Sequence, residues 1–551
     1  MKKKKLHFIP LGGLGEVGRN MMLFGYDDRY IIIDCGVQFP DSSMIGIDFI
    51  IPDMTFLLGK EANILGVFVT HAHEDHIGAL VHLFKVIENV PTYATQLTAG
   101  MIETRLARGG QLNKTKIMVT NAGDTIETGP FKVEFIHVTH SIPDSVAFAI
   151  HTPAGTVVVT GDFKFDLTPI DGWGADLSKL ASVGDKGVLA LFSDSTNSEK
   201  PGWTPSEREI TPTFEHVFET APGRIIISSF ASLISRLQQV TDIARRYGRK
   251  ICIVGTSMID NVNLAKKLGY LEMPDDCVVS LDDALSLPDH KLVILCTGSQ
   301  GEPTAILGRL STGKYSAFSI KEGDTVVLSS HPIPGNEEQV SLIINRLIRM
   351  GANVIYNSLL SVHVSGHACA DEMKMMISLI RPKYLIPVHG ELRQLTRHKT
   401  LGTLMDIPAE NIFVIENGQT LVFDDGTAKL GPKVPASVVL VDGTNVGDMT
   451  ADILYQRERL ADSGVVVVTL ILNRGNNSLI REPKIVHEGL MTEKEMLSYQ
   501  EELDDLIAST IAKKNGQSQE ALEKNLEQVL RRFFYTTTGR APWIIVNPFY
   551  L

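Results

Sequence analysis

The chain alternates between short apolar runs and mixed polar segments, a pattern that predicts buried strands and amphipathic helices in succession. In the first third of the chain, the strand-like runs lie at 64–69, 116–120, 131–138, 145–151 and 156–160. From about residue 197 to 359 the alternation becomes regular, with strands predicted at 224–228, 250–254, 291–296, 325–329 and 353–356. Helical stripes separate these later strands. Regular alternation of this kind predicts a parallel α/β domain.

After this region the pattern predicts a helix at 371–380 and a strand at 384–388. The prolines at 432 and 435 mark a connecting segment. The remainder predicts a small α+β domain with strands at 465–472 and 543–546 and helices at about 493–513 and 519–534. The last of these helices is interpreted as a solvated face, because its acidic residues balance its basic ones.

The densest group of metal-binding side chains is the segment His71-Ala72-His73-Glu74-Asp75-His76, which follows the apolar run at 64–69. It is predicted to be a loop between that strand and a helix. Imidazole nitrogen and carboxylate oxygen are ligands that suit zinc or manganese. Because alternate side chains diverge, His71 and His73 are placed to hold one ion, and Asp75 and His76 a second. The alternative is a solvated loop that happens to be rich in histidine.

Three further candidate ligands, His140, Asp162 and His389, stand at the ends of apolar strands. Taken alone, each has an ordinary alternative: His140 as a hydrogen-bonded loop histidine, for example, or Asp162 as a helix N-cap. Their common position favours the ligand role, since strand ends are where sheets of this kind assemble sites.

A glycine motif near the start, Gly13-Leu14-Gly15-Glu16-Val17-Gly18, matches the G-x-G-x-x-G pattern of dinucleotide-binding proteins. That function requires a helix directly after the glycines. The residues that follow, 20–24 and 29–34, are strand-like instead. We therefore interpret the motif as glycine turns in a β-hairpin region and reject nucleotide binding.

Length, composition and charge limit the class of protein to which the chain can belong. At 551 residues the chain exceeds one hydrophobic core, so about three domains are expected. It has no apolar run of about 18 residues, so no membrane span is predicted. The five cysteines are scattered without a C-x-x-C pair, which favours a reduced, cytoplasmic protein. The net charge of −12 argues against a broadly basic nucleic-acid binder but is compatible with a local basic channel.

These residues together resemble the metallo-β-lactamase fold, because the H-x-H-x-D-H motif at 71–76 is followed in order by the later His, Asp and His ligands. The segment between Asp162 and His389 looks like a β-CASP insertion, which marks the nucleic-acid-processing branch of that superfamily. The motifs of the insertion match Asp194, His367 and His389 itself.

The whole layout is similar to the ribonuclease J family, including the stretch Pro334-Gly335-Asn336-Glu337. The fold that this resemblance implies is α/β: a metallo-β-lactamase αββα sandwich, an inserted parallel α/β β-CASP domain and a small C-terminal α+β domain. The implied boundaries are 1–197 and 361–431 for the two parts of the sandwich, 198–360 for the insertion, 432–452 for a linker and 453–551 for the C-terminal domain.

The resemblance also implies two divalent metal ions per chain, with zinc as the first choice and manganese or magnesium as alternatives. The implied ligands are His71, His73 and His140 for one ion, Asp75, His76 and His389 for the other, and Asp162 as a bridge between them. Catalytic roles are implied for Asp75, for His367, which would stabilise the pentavalent phosphate or assist the leaving oxygen, and for Asp194, which would orient a ligand or His367.

A 5′-phosphate pocket is predicted beside these residues, because Ser365 and Gly366 permit close backbone approach to a phosphate. The backbone amides at 366–369, with Ser232, are expected to receive the 5′-terminal phosphate. The pocket comprises Ser232, Ser365, Gly366, His367, Ala368 and Cys369. Three residues depart from the family pattern: Cys369 stands where serine is usual, Leu233 where asparagine is usual, and Thr256 where arginine is usual. All three bear on 5′-end binding rather than on hydrolysis.

The function implied is a metal-dependent ribonuclease that hydrolyses single-stranded RNA, as a 5′-to-3′ exonuclease with endonuclease activity besides, in RNA maturation and decay. The implied partners are single-stranded RNA, further copies of the chain in a homodimer or homotetramer built by the C-terminal domain, and other RNA-decay proteins, with no membrane. The alternatives are a catalytically weak scaffold subunit of an RNA-decay complex and a small-molecule metallohydrolase of the lactonase or thioesterase type. DNA also stays open as a substrate, because no motif marks recognition of the 2′-hydroxyl group.

Overall fold

The computed structural model describes residues 5–41, 44–333, 336–443, 445–513 and 518–551. Pro334 and Gly335, from the stretch noted above, lie outside the described residues. The chain divides into two compact units, Met1–Phe39 with Phe49–Val439, and Pro40–Asp48 with Leu440–Leu551. Within the described ranges, no helix combines the length and the apolar character needed to cross a membrane.

The larger unit begins with a strand-rich segment. Its strands are β1 (Leu6–Gly12), β2 (Leu14–Gly15), β3 (Met21–Tyr26), β4 (Arg29–Ile33), β5 (Phe49–Pro52), β6 (Ile64–Phe68), β7 (Thr92–Thr95), β8 (Ile117–Thr120), β9 (Thr125–Thr128), β10 (Phe131–His137), β11 (Val146–Thr152), β12 (Gly155–Val159) and β13 (Val188–Asp194). Its helices are α1 (Glu74–Ile77), α2 (Leu80–Val86), α3 (Gln96–Arg108) and α4 (Leu177–Asp185).

Two further segments complete this unit. The first contains α5 (Thr211–Thr220), β14 (Ile225–Ser228), α6 (Ile234–Arg246), β15 (Lys250–Ile253), α7 (Thr256–Leu268), α8 (Leu281–Ser286), β16 (Leu292–Cys296), α9 (Ile306–Ser311), β17 (Thr325–Leu328), α10 (Glu337–Arg349) and β18 (Asn353–Tyr356). The second contains α11 (Ala370–Ile380), β19 (Pro382–Val388), β20 (Gly390–Glu391), α12 (Leu392–Leu404), β21 (Gln419–Asp424) and β22 (Thr427–Lys433).

Two sheets packed face to face form the sandwich. One has the order β22-β21-β1-β3-β4-β6-β7-β8, and the other has the order β19-β13-β12-β11-β10-β9. Aromatic rings fill the space between them; for example, the ring centroids of Phe8 and Phe192 lie 4.4 Å apart. A second apolar cluster covers the outer face of the six-stranded sheet with side chains of α4 and α11. The αββα arrangement follows, because each sheet buries one face against the other and one against helices.

The parallel strand pairs explain where a site can form. Strand β4 runs parallel to β6, and β12, β13 and β19 run parallel to one another. Because the carboxyl ends of parallel neighbours meet at one sheet edge, the residues that follow these strands are brought together. These are Asp34, the segment at 71–76, Asp162, Asp194 and His389.

The inserted segment forms a five-stranded parallel sheet with the order β15-β16-β14-β17-β18. Helices flank it and share an apolar core with it. The predicted parallel α/β domain is confirmed, with strand bounds within one residue of those read from the sequence. The glycine motif at 13–18 is followed by strand β3 and not by a helix, so the rejection of dinucleotide binding also holds.

The smaller unit contains β23 (Val438–Asp442), which begins at its boundary, followed by β24 (Asn445–Val446), α13 (Ala451–Ser463), β25 (Val465–Leu472), β26 (Lys484–Glu488), α14 (Glu493–Ser498), α15 (Gln500–Ala512), α16 (Gln519–Thr538) and β27 (Trp543–Tyr550). Strands β26, β25 and β27 form a sheet in that order. One face of this sheet packs on the helices around Leu503, Leu526 and Phe534.

Three sequence predictions need correction. The segment at 71–76 is not wholly a loop, because α1 begins at Glu74, where two carboxylates occupy the first helical turn and favour helix initiation. The single helix predicted at 493–513 is two helices that meet at Tyr499. The last strand extends to Tyr550, beyond the predicted end at residue 546. Strand β26 and helix α13 were not predicted, because their many charged residues give weak hydrophobic periodicity.

Candidate active site

One set of donors consists of His71, His73, His140 and Asp162, whose ligand atoms all lie within 4.8 Å of one another. His73 Nδ1 is 3.1 Å from His71 Nε2 and 3.1 Å from His140 Nε2. The Oδ2 atom of Asp162 is 3.7 Å from His71 Nε2 and 3.8 Å from His140 Nε2. Donor atoms of a tetrahedral ion with bonds of about 2.0–2.1 Å are separated by about 3.3 Å, so this set has the spacing of ligands around one ion.

A second set shares the same carboxylate and comprises Asp75, His76, Asp162 and His389. His76 Nε2 is 3.3 Å from Asp162 Oδ2 and 3.5 Å from Asp75 Oδ2. His389 Nε2 is 3.1 Å from Asp75 Oδ2. All seven residues predicted as metal ligands therefore converge, and Asp162 belongs to both sets.

Hydrogen bonds on the outer side of the histidines determine which ring nitrogen faces the centre. His140 Nδ1 donates to the carbonyl of Gly366 at 2.7 Å, and His76 Nδ1 donates to Asp34 Oδ2 at 2.8 Å. His389 Nδ1 contacts Thr196 Oγ1 at 2.8 Å. In each ring the other nitrogen, Nε2, is left with its lone pair toward the centre, which is the arrangement that second-shell partners give to metal-binding histidines.

Electrostatics favours a cation at this position. Burial lowers the pKa of His73 to about 4. Burial and neighbouring imidazoles also hold the pKa of His71 and of His140 well below its usual value, so these rings are neutral ligands at pH 7. Burial opposes protonation of His76 too, but the surrounding carboxylates, Asp162 foremost, raise the pKa of that ring well above its usual value.

The carboxylate of Asp162 shows whether the residues at the centre fit a bound metal ion. Its Oδ1 atom is buried and has no hydrogen-bond partner among the described residues, although His389 Nδ1 lies 3.5 Å away. A buried carboxylate oxygen without a hydrogen bond is costly unless it is paired with a charge or bound to a metal. The donor types, their spacing and this oxygen fit divalent metal binding at Asp162.

His367 lies beside both sets, with its side chain 21% exposed. Its Nδ1 donates to Asp194 Oδ2 at 2.8 Å, which leaves Nε2 for a substrate. Burial opposes protonation of His367, but Asp194 and Asp162 raise the pKa of the ring. The Oδ1 atom of Asp194 accepts hydrogen bonds from the amide and hydroxyl groups of Thr196, so the carboxylate is held firmly.

The predicted phosphate segment has a different environment from the one expected. The amide of His367 donates to Ser365 Oγ, and the amide of Ala368 donates to the carbonyl of Phe163. The amide of Cys369 donates to the buried carboxylate of Glu372 at 2.8 Å. These three amides therefore bond within the protein.

Gly366 has a packing role that the sequence did not indicate. A Cβ atom at this position would lie 2.5 Å from the His140 ring, so glycine is needed for that ligand to reach its place. Across the described ranges, no hydrogen bond joins the Ser232 side chain to residues 365–369, and its place in the pocket stays a prediction.

Sequence reasoning missed the residues that support the ligands from behind. Asp34 is fully buried and accepts from the amide of Thr70, from its hydroxyl and from His76 Nδ1, each at 2.8 Å. The Thr70 hydroxyl in turn contacts His71 Nδ1 at 3.1 Å. Asn20 Nδ2 donates to the carbonyl of Asp75 at 3.1 Å. Asp34 carries the same signal that identified Asp162, a carboxylate directly after an apolar strand, and could have been found from it.

Family comparisons cover most of the chain. Residues 14–198 match the metallo-beta-lactamase superfamily, and residues 222–347 match the ribonuclease J beta-CASP domain. Residues 354–411 match a Zn-dependent metallo-hydrolase RNA specificity domain, and residues 452–549 match the ribonuclease J C-terminal domain.

Individual relatives agree with these matches. The chain is 39% identical to ribonuclease J of Synechocystis sp. over 98% of its own length and 86% of that protein. It is 37% identical to ribonuclease J2 of Bacillus subtilis over 99% of both chains, and 39% identical to ribonuclease J of Thermus thermophilus over 98% of its own length and 94% of that protein. The chain belongs to the ribonuclease J family. Its fold is also similar to a solved Enterococcus faecalis protein of unknown function, with a TM-score of 0.55 and 16% identity over 76% of this chain and 100% of that one.

Membership of the ribonuclease J family confirms the fold predicted from the sequence: a metallo-β-lactamase domain with a β-CASP insertion and a C-terminal domain. It also supports divalent metal binding, because the matched domains are described as metallo-β-lactamase and Zn-dependent hydrolase. The domain boundaries and the roles of individual residues stay predictions.

The packing of Gly366 against His140 yields a prediction. Gly366→Ala should displace the His140 ring and reduce the metal content of the purified protein from two ions per chain toward one, since the added methyl group would lie 2.5 Å from the ring. Metal content is measured by mass spectrometry of the native or acid-digested protein. Gly174→Ala is the matched control, because no heavy atom lies nearer than 4.0 Å to a Cβ at that position. Full metal content in Gly366→Ala would contradict the assignment of His140 as a ligand.

Proposed function

We propose that this ribonuclease J family member hydrolyses single-stranded RNA from its 5′ end, with endonuclease activity besides, and that it uses two divalent ions, zinc as the first choice. Its relatives and its matched domains identify it as a metal-dependent ribonuclease. The observation that carries the two-ion proposal is the convergence of two donor sets on the shared carboxylate of Asp162.

In this proposal, His71, His73 and His140 hold one ion, Asp75, His76 and His389 hold the other, and Asp162 serves both. When bound, the ions would neutralise charge on the phosphoryl oxygens and lower the pKa of a water molecule. Asp34 accepts from His76 Nδ1 and Thr196 Oγ1 contacts His389 Nδ1, and these buried contacts keep the Nε2 lone pairs directed at the centre.

His367 is the proposed general acid. Asp194 accepts from Nδ1, so the proton that can be transferred is on Nε2, where it would pass to the leaving oxygen of the phosphodiester. Asp194 is a positioning residue in this scheme, because it fixes the ring and favours its protonated form. The network from Asp194 to Thr196 also contacts His389, which couples the acid to a proposed metal ligand.

Two alternatives have less support. A small-molecule hydrolase would not require the inserted domain, and residues 222–347 match the β-CASP domain of ribonuclease J. A scaffold subunit would not require seven converging ligands. A cytoplasmic location is part of the proposal and is supported by five buried cysteines without disulfides.

The metal mechanism predicts the behaviour of Asp162→Ala. Loss of the shared carboxylate should lower the rate of RNA cleavage about 1,000-fold or more, because metal ions supply several kcal/mol of transition-state stabilisation. Cleavage is followed on RNA labelled at its 5′ or 3′ end and carrying a 5′ hydroxyl, monophosphate or triphosphate. Mononucleotide release from the 5′ end would support the exonuclease mode, and internal fragments the endonuclease mode.

Asp185→Ala, at an exposed aspartate that pairs with Arg381, is the matched control and should retain wild-type activity. Wild-type cleavage rates in Asp162→Ala would remove the two-ion mechanism. An inactive wild-type protein that holds no metal would favour the scaffold alternative.

The general-acid proposal predicts a different signature for His367→Ala. The kcat should fall by about 100- to 10,000-fold, the range typical of a lost acid or base. Metal content should stay the same, because His367 is not among the seven proposed ligands. A variant that loses metal together with activity would instead assign His367 to the ligand set.

The smaller unit offers a surface for self-association. The face of its sheet that turns away from the helical core carries apolar side chains, with Ile545 40% exposed, Phe549 59% exposed and Val486 48% exposed. Register places Val467 between Ile545 and Val486 on this face. Exposed apolar patches of this kind are typical of association surfaces. We therefore propose that a second copy of the chain packs here.

Phe549→Asp should shift the protein from dimer or tetramer to monomer in sedimentation velocity, because a charge would be buried in the interface. Leu497→Asp is the control, since Leu497 is 68% exposed but lies on helix α14 instead of the sheet. An oligomer that survives Phe549→Asp, or a monomeric wild type, would contradict the proposal.

A further inference from the structure

A group of nitrogen donors lies next to the segment that contains His367 and takes no part in the two proposed metal-ligand sets. It consists of Lys200, His331, Asn357 and His363, which we call the cleft donor cluster. The rings of His331 and His363 meet edge to face with centroids 5.0 Å apart. Asn357 connects them, because its Oδ1 accepts from the His363 amide at 3.2 Å and its Nδ2 makes a long, 3.4 Å contact with His331 Nε2.

One buried atom of this cluster has no hydrogen bond. It is His363 Nδ1, which has no partner among the described residues. The contact with Asn357 Nδ2, which can only donate, makes His331 Nε2 an acceptor, so the neutral ring of His331 carries its proton on Nδ1. His331 can therefore donate to an anion, and His363 can do so in the tautomer that carries its proton on Nδ1.

The charge around the cluster is positive and only partly compensated. The cations of Arg236 and Lys164 are both within 4.0 Å of Glu207. Lys200 differs: it is exposed, and no carboxylate of the described ranges lies within ion-pair distance of it. Its charge acts on both histidines, since burial first and Lys200 among the other causes lower the pKa of His331 and of His363.

The backbone ties this lysine to the catalytic histidine. The amide of Lys200 donates to the carbonyl of Asn197 at 2.9 Å, and Asn197 Nδ2 donates to the carbonyl of His367 at 3.0 Å. The carbonyl of Lys200 accepts from the amide of Ala370 at 2.9 Å. Lys200 therefore has a fixed backbone position next to the segment that contains the proposed general acid.

The backbone amides at 367–369 are not available to bind a phosphate. Those of His367, Ala368 and Cys369 donate within the protein, as described above, so a phosphate near this segment needs other donors. Three nearby carboxylates are also engaged: Glu199 pairs with Arg393, Glu372 accepts three backbone amides, and Asp371 pairs with Lys374. The cluster thus combines a cation that has no ion pair among the described residues with imidazole donors.

We propose that Lys200, His331 and His363 bind a phosphate of the RNA strand as it passes the active site. The inference rests on the proposed ribonuclease function but concerns residues outside the metal sets and outside the predicted 5′-phosphate pocket. The phosphate is either the 5′-terminal group or an internal phosphodiester, and both have the charge and the acceptor oxygens that these donors fit.

Lys200→Ala and His331→Ala are the test variants, because both side chains are exposed and their loss should not affect folding. The KM for single-stranded RNA should rise about tenfold in each, the size expected for one lost hydrogen bond to a charged group. Binding is measured by fluorescence anisotropy in the His367→Ala background, which stops turnover. There, Lys200→Ala should reduce the slope of log affinity against log salt by about 0.7, the value for one phosphate contact on a single strand.

Lys186→Ala is the matched control, an exposed lysine at the end of helix α4. RNAs with a 5′ hydroxyl or a 5′ monophosphate separate the two sources: a loss confined to the monophosphate assigns the cluster to the terminal phosphate, and an equal loss on both assigns it to an internal one. If both variants match Lys186→Ala, the inference is wrong while the ribonuclease function stands. If Lys200→Ala reduces the salt slope as expected but the wild type never cleaves RNA, the function fails and the phosphate site stands.

Discussion

His73 Nδ1 lies 3.1 Å from both His71 Nε2 and His140 Nε2, beside a carboxylate, and the rest of the structure depends on stabilising these three nitrogens. Neutral rings in this arrangement direct their lone pairs at a common point, which is unfavourable without a cation. One oxygen of the Asp162 carboxylate is also buried without a hydrogen bond, with His389 Nδ1 3.5 Å away. Divalent metal binding would stabilise both the lone pairs and the carboxylate.

The fold provides this arrangement through its parallel strands. The proposed ligands at 71–76, Asp162 and His389 follow strands that have a parallel neighbour, so residues separated by more than three hundred positions in sequence meet at one sheet edge. His140 differs, because it follows β10, which pairs antiparallel with β9 and β11. Contacts of the outer ring nitrogens with Asp34, Thr196 and the carbonyl of Gly366 then fix the orientations of three histidine rings, those of His76, His389 and His140. The inserted domain contributes a further contact: the buried guanidinium of Arg236 donates to the carbonyl of Val362, five residues before His367.

The convergence of the seven side chains could be predicted from the sequence, because candidate metal ligands have a recognisable chemical pattern, while their role as ligands stays a prediction. Histidines and carboxylates directly after apolar strands are rarely explained by packing, so all seven residues could be selected before the fold was known. The supporting residues were harder to recognise: Thr70 and Asn20 resemble ordinary polar residues, and only their three-dimensional neighbours give them a role. At the predicted phosphate segment, 366–369, the sequence suggested backbone amides that are free to bind a ligand. In the structure, the amides at 367–369 donate instead to Ser365, Phe163 and Glu372, and the sequence pattern does not reveal these acceptors.

The central claim is that Asp162 joins two metal ions, and anomalous X-ray scattering from crystals of the metal-loaded protein tests it most directly. The account predicts two peaks at the absorption edge of the bound metal, one at about 2.0–2.2 Å from His71, His73 and His140 and the other at the same distance from Asp75, His76 and His389, with an oxygen of Asp162 coordinated to each. A single peak, or a second one away from Asp162, would contradict it.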